Sequence, residues 1–351
     1  MSIRILTGDC RDVLATLPDE SVHCVVTSPP YFGLRDYGVA GQIGLEASPE
    51  AFVAEMVAVF RAVRRVLRKD GTLWLNLGDS YNAGRNGGHA GGAKQASLAR
   101  HDGIQRSGAN APGLKPKDLI GIPWRVAFAL QADGWWLRQD IIWSKPNPMP
   151  ESITDRCTKA HEYPFLLSKS ERYQFDAEAI AELITIGNGT GVGPQYTPPG
   201  GGPPHRGLKG NAKTFRGGGA YTGGRSFSNS ADVERSSHGN APNEKGTRNK
   251  RSVWTVATSP FPQAHFATFP PDLITDCIAA GCPVGGTVLD PFGGAGTTGL
   301  VADRLGRDAI LIELNPAYTV MARERLQRDG GMFANVASGP EPDSALPMAA
   351  E

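Results

Sequence analysis

Two short segments hold the residues whose types and spacing could do chemistry. Thr27-Ser28-Pro29-Pro30-Tyr31 closes the apolar run VHCVVTS, and Asp290-Pro291-Phe292-Gly293-Gly294-Ala295-Gly296-Thr297-Thr298 closes GTVLD. Ser28 Oγ and the Pro29 carbonyl are two acceptors, and two prolines fix the turn without adding N–H donors that would compete. Such a pair suits a planar exocyclic amine. Its nitrogen lone pair is delocalised into a ring and must become tetrahedral to attack a methyl group. Acceptors on the two N–H bonds draw it that way and stabilise the positive charge that develops. Tyr31 offers a face for stacking on a base swung out of its duplex. No nucleophile is needed, and no Pro-Cys dipeptide occurs, which argues against a covalent cysteine acting at cytosine carbon 5. The plainer alternative is a Pro-rich turn after a strand. Position at a carboxyl strand end, where ligands of open α/β sheets gather, favours the chemical reading.

The second segment is the turn of a strand–turn–helix–strand unit. Gly293, Gly294 and Gly296 allow the backbone to approach a ligand where a Cβ would collide. Thr297 and Thr298 can cap the helix that follows. The next strand, DAILIEL, ends in Glu313, about 20 residues after the glycines, where a carboxylate accepts from both hydroxyls of a ribose. A tight strand-to-helix connection would also need such glycines. Asp290 separates the readings, because a carboxylate before the turn suits an ammonium group and not a phosphate. No GxxxxGK[ST] occurs, so an ATP loop is disfavoured. A cofactor with an amino-acid head and a ribose, S-adenosylmethionine, fits.

These segments need a sheet to carry them. Residues 50–68 place Phe52, Val53, Met56, Val57, Phe60, Val63 and Leu67 at helical spacing. GTLWLNLGDS reads as a strand behind an Asp70-Gly71 turn, GIPWRVAFALQADG as a helix ended by Asp133-Gly134, and WWLRQDIIWSK and YPFLLSKS as strands. Helices near 270–281, 297–306 and 316–328 alternate with strands 286–290 and 308–313. Residues 82–117 carry six Lys/Arg and one acidic residue among Gly, Ala, Asn and Ser, and read as a mobile basic loop. Residues 186–251 are a Gly-rich insert; from 205 to 251 there are ten Lys/Arg against three Asp/Glu. The domain reading is thus 1–185 (catalytic half), 186–251 (insert), 252–330 (cofactor half of the same domain) and a disordered tail, 331–351.

A chain of 351 residues with net charge +1 can bury a large core and predicts no strong overall pull toward nucleic acid. Five scattered cysteines with no CxxC read as reduced thiols of a cytoplasmic protein rather than a disulfide framework or zinc site. No apolar stretch approaches 18 residues, which excludes a membrane helix.

Taken together, the segments resemble the amino-directed DNA methyltransferases, N4-cytosine and N6-adenine, in the circularly permuted order called beta. In that order the catalytic motif comes first and the cofactor loop last. The resemblance covers most of residues 3–328: TGDC at 7–10, TSPPY at 27–31, LNLGDSY at 75–81, GIPWRVAFAL at 121–130, HEYPFLLSKS at 161–170, AHFATFPPDLI at 264–274, DPFGGAGTTGL and IELNP. It implies a twisted, mainly parallel seven-stranded sheet with helices on both faces. It carries over Asp9 as a cofactor contact, sets Thr268, Phe269 and Pro270 near the methionine part, and places the insert in the target-recognition position. Double-stranded DNA is the partner implied. Ser at the head of the motif leans toward cytosine N4, with adenine N6 the alternative. An RNA or protein methyltransferase, or a DNA-binding homologue that has lost catalysis, fits less well. A partner restriction endonuclease, the recognition sequence and the choice of monomer or homodimer stay open. His161-Glu162 reads as structural, Lys145-Pro146-Asn147-Pro148 as a turn or a substrate contact, and Trp124, Trp135, Trp136 and Trp143 as packing.

Overall fold

A computed structural model describes residues 1–82, 111–183, 246–259, 268–331 and 335–338. In chain order, β1 (Ile3–Thr7), α1 (Cys10–Thr16), β2 (Val22–Thr27), α2 (Pro49–Val66) and β3 (Leu67–Leu77) are followed by α3 (Ile122–Ala132), β4 (Trp136–Asp140), β5 (Ile142–Ser144) and β6 (His161–Ser168). Two short strands come next, β7 (Glu182–Leu183) and β8 (Thr247–Arg248). Then come β9 (Val253–Thr255), α4 (Pro271–Gly281), β10 (Thr287–Asp290), α5 (Thr297–Arg304), β11 (Asp308–Glu313), α6 (Pro316–Gly330) and β12 (Val336–Ser338).

The main sheet runs β12-β1-β11-β10-β2-β3-β6-β5-β9, with β4 also on β6. All pairings from β12 to β3 are parallel, and β6 lies antiparallel to β3, β4 and β5. The seven strands of four residues or more are β1, β2, β3, β4, β6, β10 and β11. The three-residue strands β5, β9 and β12 extend the sheet to ten among the described residues. Both ends of the chain enter one sheet: β1 pairs with β11, and β2 with β10.

Helices cover both faces, so the strands read as continuous apolar runs rather than alternating ones. In β11, Ile310 and Ile312 join the core under α1, α2 and α3, with Leu14, Phe52, Met56, Val63 and Val126. Ala309 and Leu311 join the opposite core, with Ile274 and Ile278 of α4, Leu300 of α5 and Ala322 of α6. The α2 stripe of Phe52, Met56, Phe60 and Val63 is fully buried, each side chain worth about 1.5–3 kcal/mol. Ser48 caps that helix, its Oγ accepting from Ala51 N at 3.2 Å.

Several elements depart from expectation. Asp70-Gly71 is not a turn ahead of β3 but lies within it. The pairing with β2 jumps there from Val22–Leu67 to Cys24–Thr72, so the turn residues are spent on a bulge. WWLRQDIIWSK breaks into β4 and β5, with a register shift between Leu137 and Gln139. In the basic loop, residues 83–110 lie outside the described residues, but 111–117 are pinned by Asn82. Its Oδ1 accepts from the buried Ala111 N at 2.8 Å, and its Nδ2 donates to the Leu114 and Lys115 carbonyls. In the tail, Val336–Ser338 pair with β1 rather than being disordered.

Residues 1–180 with 249–351 make one compact unit and 181–248 another. In the second, 184–245 lie outside the described residues. What is described there is the antiparallel β7–β8 pair, in which Glu182 faces and ion-pairs with Arg248.

Candidate active site

The strand order sets out a row of polar groups along one edge of the sheet. Glu313 ends β11, Asp290 ends β10, Thr27 ends β2 and Asn76 is the penultimate residue of β3. Because β6 is reversed, its second residue, Glu162, reaches the same edge, and Lys145 follows the end of β5. Neighbouring strands lie about 4.8 Å apart, which puts Glu313 about 10 Å from the end of β2 along the edge. A cavity of about 970 Å³ runs beside this row. Loop 33–44 contributes Leu34, Tyr37 and Val39 to its wall, and a bond from Gly33 N to the Gly44 carbonyl closes the loop at its base.

At the β10 end, Asp290 is 1% exposed. Its carboxylate accepts from Thr27 Oγ1 and Thr298 Oγ1, both at 2.6 Å, and from Phe292 N at 3.0 Å. Burial raises its carboxyl above the ordinary 3.8, opposed by those three donors. Glu313 accepts from Gly294 N and Asn315 N, each at 2.8 Å, one per oxygen. Burial likewise raises it above 4.5. Each Glu313 oxygen thus has one backbone donor and capacity for a second.

At the β2 end, Tyr31 O–H donates to Glu162 Oε2 at 2.7 Å, and Ser28 Oγ–H donates to the Tyr31 oxygen at 3.3 Å. Asn76 Nδ2 donates to Glu162 Oε2 at 2.8 Å and to the Tyr31 oxygen at 3.0 Å. Lys145 Nζ ion-pairs with Glu162 Oε1 and lies 4.2 Å from the Trp143 ring centroid. Burial, with the Glu162 charge beside it, pushes the Tyr31 phenol well above 10.0, so it keeps the proton it donates. The Tyr31 ring lies against Gly78, where a Cβ would come within 2.4 Å of its Cε2.

Residues 22–324 match the model of the DNA methylase family. A Type II methyltransferase of Xanthomonas campestris pv. cyanopsidis, M.XycI, is 43% identical over 334 residues, covering 95% of this chain and 91% of that protein. The chain belongs to the N6/N4 DNA methylase family. Among solved structures, the cytosine-N4-specific PvuII DNA methyltransferase shares the fold at TM-score 0.57 and 18% identity, over 96% of this chain and 94% of that one. A putative DNA modification methylase from Thermus thermophilus, crystallised with S-adenosyl-L-methionine, does so at 0.55 and 24%, over 96% and 99%.

The methylase brings most of the predicted site residues to one cavity. Asp9, Ser28, Pro29, Pro30, Tyr31, Thr268, Phe269, Asp290, Phe292, Gly293, Gly294, Thr297 and Glu313 all line it. Pro270, Gly296 and Thr298 do not. Pro270 caps α4, Thr298 holds Asp290 from behind, and Gly296 packs on Ala322. The fold also constrains the glycines. A Cβ on Gly293 would meet Leu311 Cβ at 3.0 Å, and one on Gly296 would meet Ala322 Cβ at 3.1 Å, while Gly294 and Gly296 have φ of 48° and 75°. The Asp9 carboxylate is engaged on both oxygens by Arg11 and caps α1, which holds it below 3.8. Asn76, Lys145 and Glu162 also line the cavity; sequence reasoning passed over Asn76, left Lys145 open between a turn and a substrate contact, and read Glu162 as structural. Their signal was a lone polar residue in or next to an apolar strand, LWLNL, IIWSK and HEYPFLL.

Proposed function

We propose that this DNA methylase transfers a methyl group from S-adenosylmethionine to the exocyclic N4 of a cytosine swung out of duplex DNA. The observation that carries the reading is Ser28 at the head of the Pro-Pro-Tyr turn, one strand from Asp290 and two from Glu313 along a common cavity. The donor set fits the cofactor. Asp290 offers a buried negative charge for an ammonium group, and Glu313 offers two oxygens for ribose hydroxyls, with Phe269 and Phe292 as apolar lining of the same cavity. When bound, S-adenosylmethionine supplies an electrophilic methyl group on its sulfonium.

Ser28 Oγ and the Pro29 carbonyl accept the two amino protons and draw the nitrogen toward tetrahedral geometry. Tyr31 holds the base by its ring. The match to the DNA methylase family supports DNA as substrate, and Ser28 in place of an aspartate at the head of the motif supports the base chosen. The test is mass spectrometry of nucleosides from DNA incubated with protein and cofactor. N4-methylcytosine is expected, and Ser28→Ala should lower the rate about 10²–10³-fold, by analogy with loss of one oxyanion donor. N6-methyladenine alone would overturn the base choice; full activity in Ser28→Ala would overturn the mechanism.

A further inference from the structure

We infer that Glu162 is a positioning residue for methyl transfer: its carboxylate fixes the direction of the chain Ser28–Tyr31–Glu162, so that Ser28 Oγ turns a lone pair to the target amine. The inference rests on the amino-methyl transfer proposed above. It starts from an ambiguity in serine. A hydroxyl both donates and accepts, and a Ser28 that aimed its own hydrogen at the amine would block attack rather than assist it.

The network removes that freedom in three steps. A carboxylate only accepts, so the Tyr31 hydrogen must point to Glu162 Oε2, 2.7 Å away. The Tyr31 oxygen is then left with two lone pairs. Asn76 Nδ2 takes one at 3.0 Å, and the Ser28 hydrogen takes the other at 3.3 Å. With its hydrogen spent on Tyr31, Ser28 Oγ is an acceptor only; Asn76 Nδ2, 3.4 Å away, can take one of its lone pairs, which leaves the other to offer the cavity. Hydrogen bonds in such a chain also polarise one another, which strengthens the terminal acceptor.

The terminal group is itself held. Lys145 occupies the other oxygen of Glu162, and the pair is shielded, with side-chain exposures of 17% and 15%. Asn76 can present only its amino group to Glu162, because its Oδ1 would face a negative charge; that Oδ1 is buried with no partner among the described residues. A buried acceptor left unpaired has a cost, which makes sense if the amide orientation serves the carboxylate.

The test is a double-mutant cycle in steady-state methylation, with cofactor and DNA binding measured separately. Glu162→Gln introduces a donor at the end of the chain and lets Tyr31 reverse. It should lower kcat roughly 10-fold while the KM for DNA and the cofactor Kd stay within about 2-fold. Tyr31→Phe, which keeps the ring and leaves the Lys145–Glu162 pair intact, should lower kcat to a similar degree. In a Ser28→Ala background neither change should lower kcat further, because both act through Ser28. Additive losses in that background would overturn the inference, as would wild-type kcat in Glu162→Gln or a loss confined to KM. Should Glu162→Gln fail to fold, the Tyr31→Phe and Ser28→Ala pair carries the same cycle. Full activity of Ser28→Ala alone would instead sink the proposed transfer mechanism, so the two failures are distinct.

Discussion

Asp290 is costly where it stands. A carboxylate 1% exposed has exchanged water for two threonine hydroxyls and one backbone N–H, and burial still raises its carboxyl above 3.8. The sign follows from that direction. The folded state holds the proton more tightly than the unfolded chain, so this group's contribution to stability is complete below 3.8 and is lost as pH rises through the raised value. At neutral pH the ligand-free protein carries a penalty that a bound ammonium group would offset. Asp290→Asn should therefore raise the Tm of the ligand-free protein in scanning calorimetry. It should also weaken S-adenosylmethionine by about 2–5 kcal/mol in titration calorimetry, as for truncation of a buried charge pair. In the wild type, cofactor affinity should fall on acidification as Asp290 and Glu313, both raised, take up protons, by at most about tenfold per pH unit for each site. Asp290→Asn should flatten that profile. A lower Tm with unchanged affinity would assign Asp290 to the fold alone.

The elements work by presenting strand ends, and the end of β3 shows how closely. Gly78 follows β3 and is the floor on which the Tyr31 ring lies, with room for no side chain. Gly78→Ala would put a methyl 2.4 Å from Tyr31 Cε2, and a ring, unlike a flexible side chain, cannot yield at its far end. The variant should fold, since Gly78 is not among the glycines with positive φ, yet lose base capture worth roughly 1–3 kcal/mol of stacking. Methylation kinetics beside circular dichroism would check it, and a wild-type KM for DNA would show that the ring's seat is not needed. Elements of this kind were largely legible in the sequence. The α2 stripe, the α3 stop at Asp133-Gly134 and the GTVLD and DAILIEL strands all depend on local spacing, which a single stretch displays. Asp70-Gly71 misled because the same dipeptide serves a turn or a bulge, and only the β2 partner decides between them. Glu162, Asn76 and Lys145 come together because β3, β6 and β5 are neighbours, a fact of sheet order that none of the three segments contains. Ser28-Pro29-Pro30-Tyr31 was legible because its acceptors and its ring lie within four consecutive residues.

At the scale of the molecule, the chain is permuted in order but not divisible into halves. β1 and β2 flank β11 and β10 in one parallel stack, so residues 1–185 and 252–330 complete each other's core. What can be removed is different. In β7–β8, Leu183 faces Thr247 across an antiparallel pair, so the ends of the stretch between them already lie side by side. A short Gly-containing turn, of the length that closes two-residue hairpins, can join them in place of 184–245. That stretch carries seven of the ten Lys/Arg counted over 205–251. The shortened protein should keep its cofactor affinity, because every candidate cofactor contact lies in 1–82 or 268–331. Its DNA affinity should fall and depend less on salt, the slope of log K against log salt dropping by about 0.9 for each phosphate that the protein no longer neutralises. Binding isotherms at several salt concentrations, on cognate and unrelated duplexes, separate the two ways a basic insert can act. An equal loss on both sequences means phosphate attraction alone, and a greater loss on the cognate site means that the insert also reads bases. An unchanged slope would leave the insert as a tether, and DNA capture would then fall to Lys145, which lines the cavity, and to Lys159 and Arg156, whose charges lie close enough to be felt by one another.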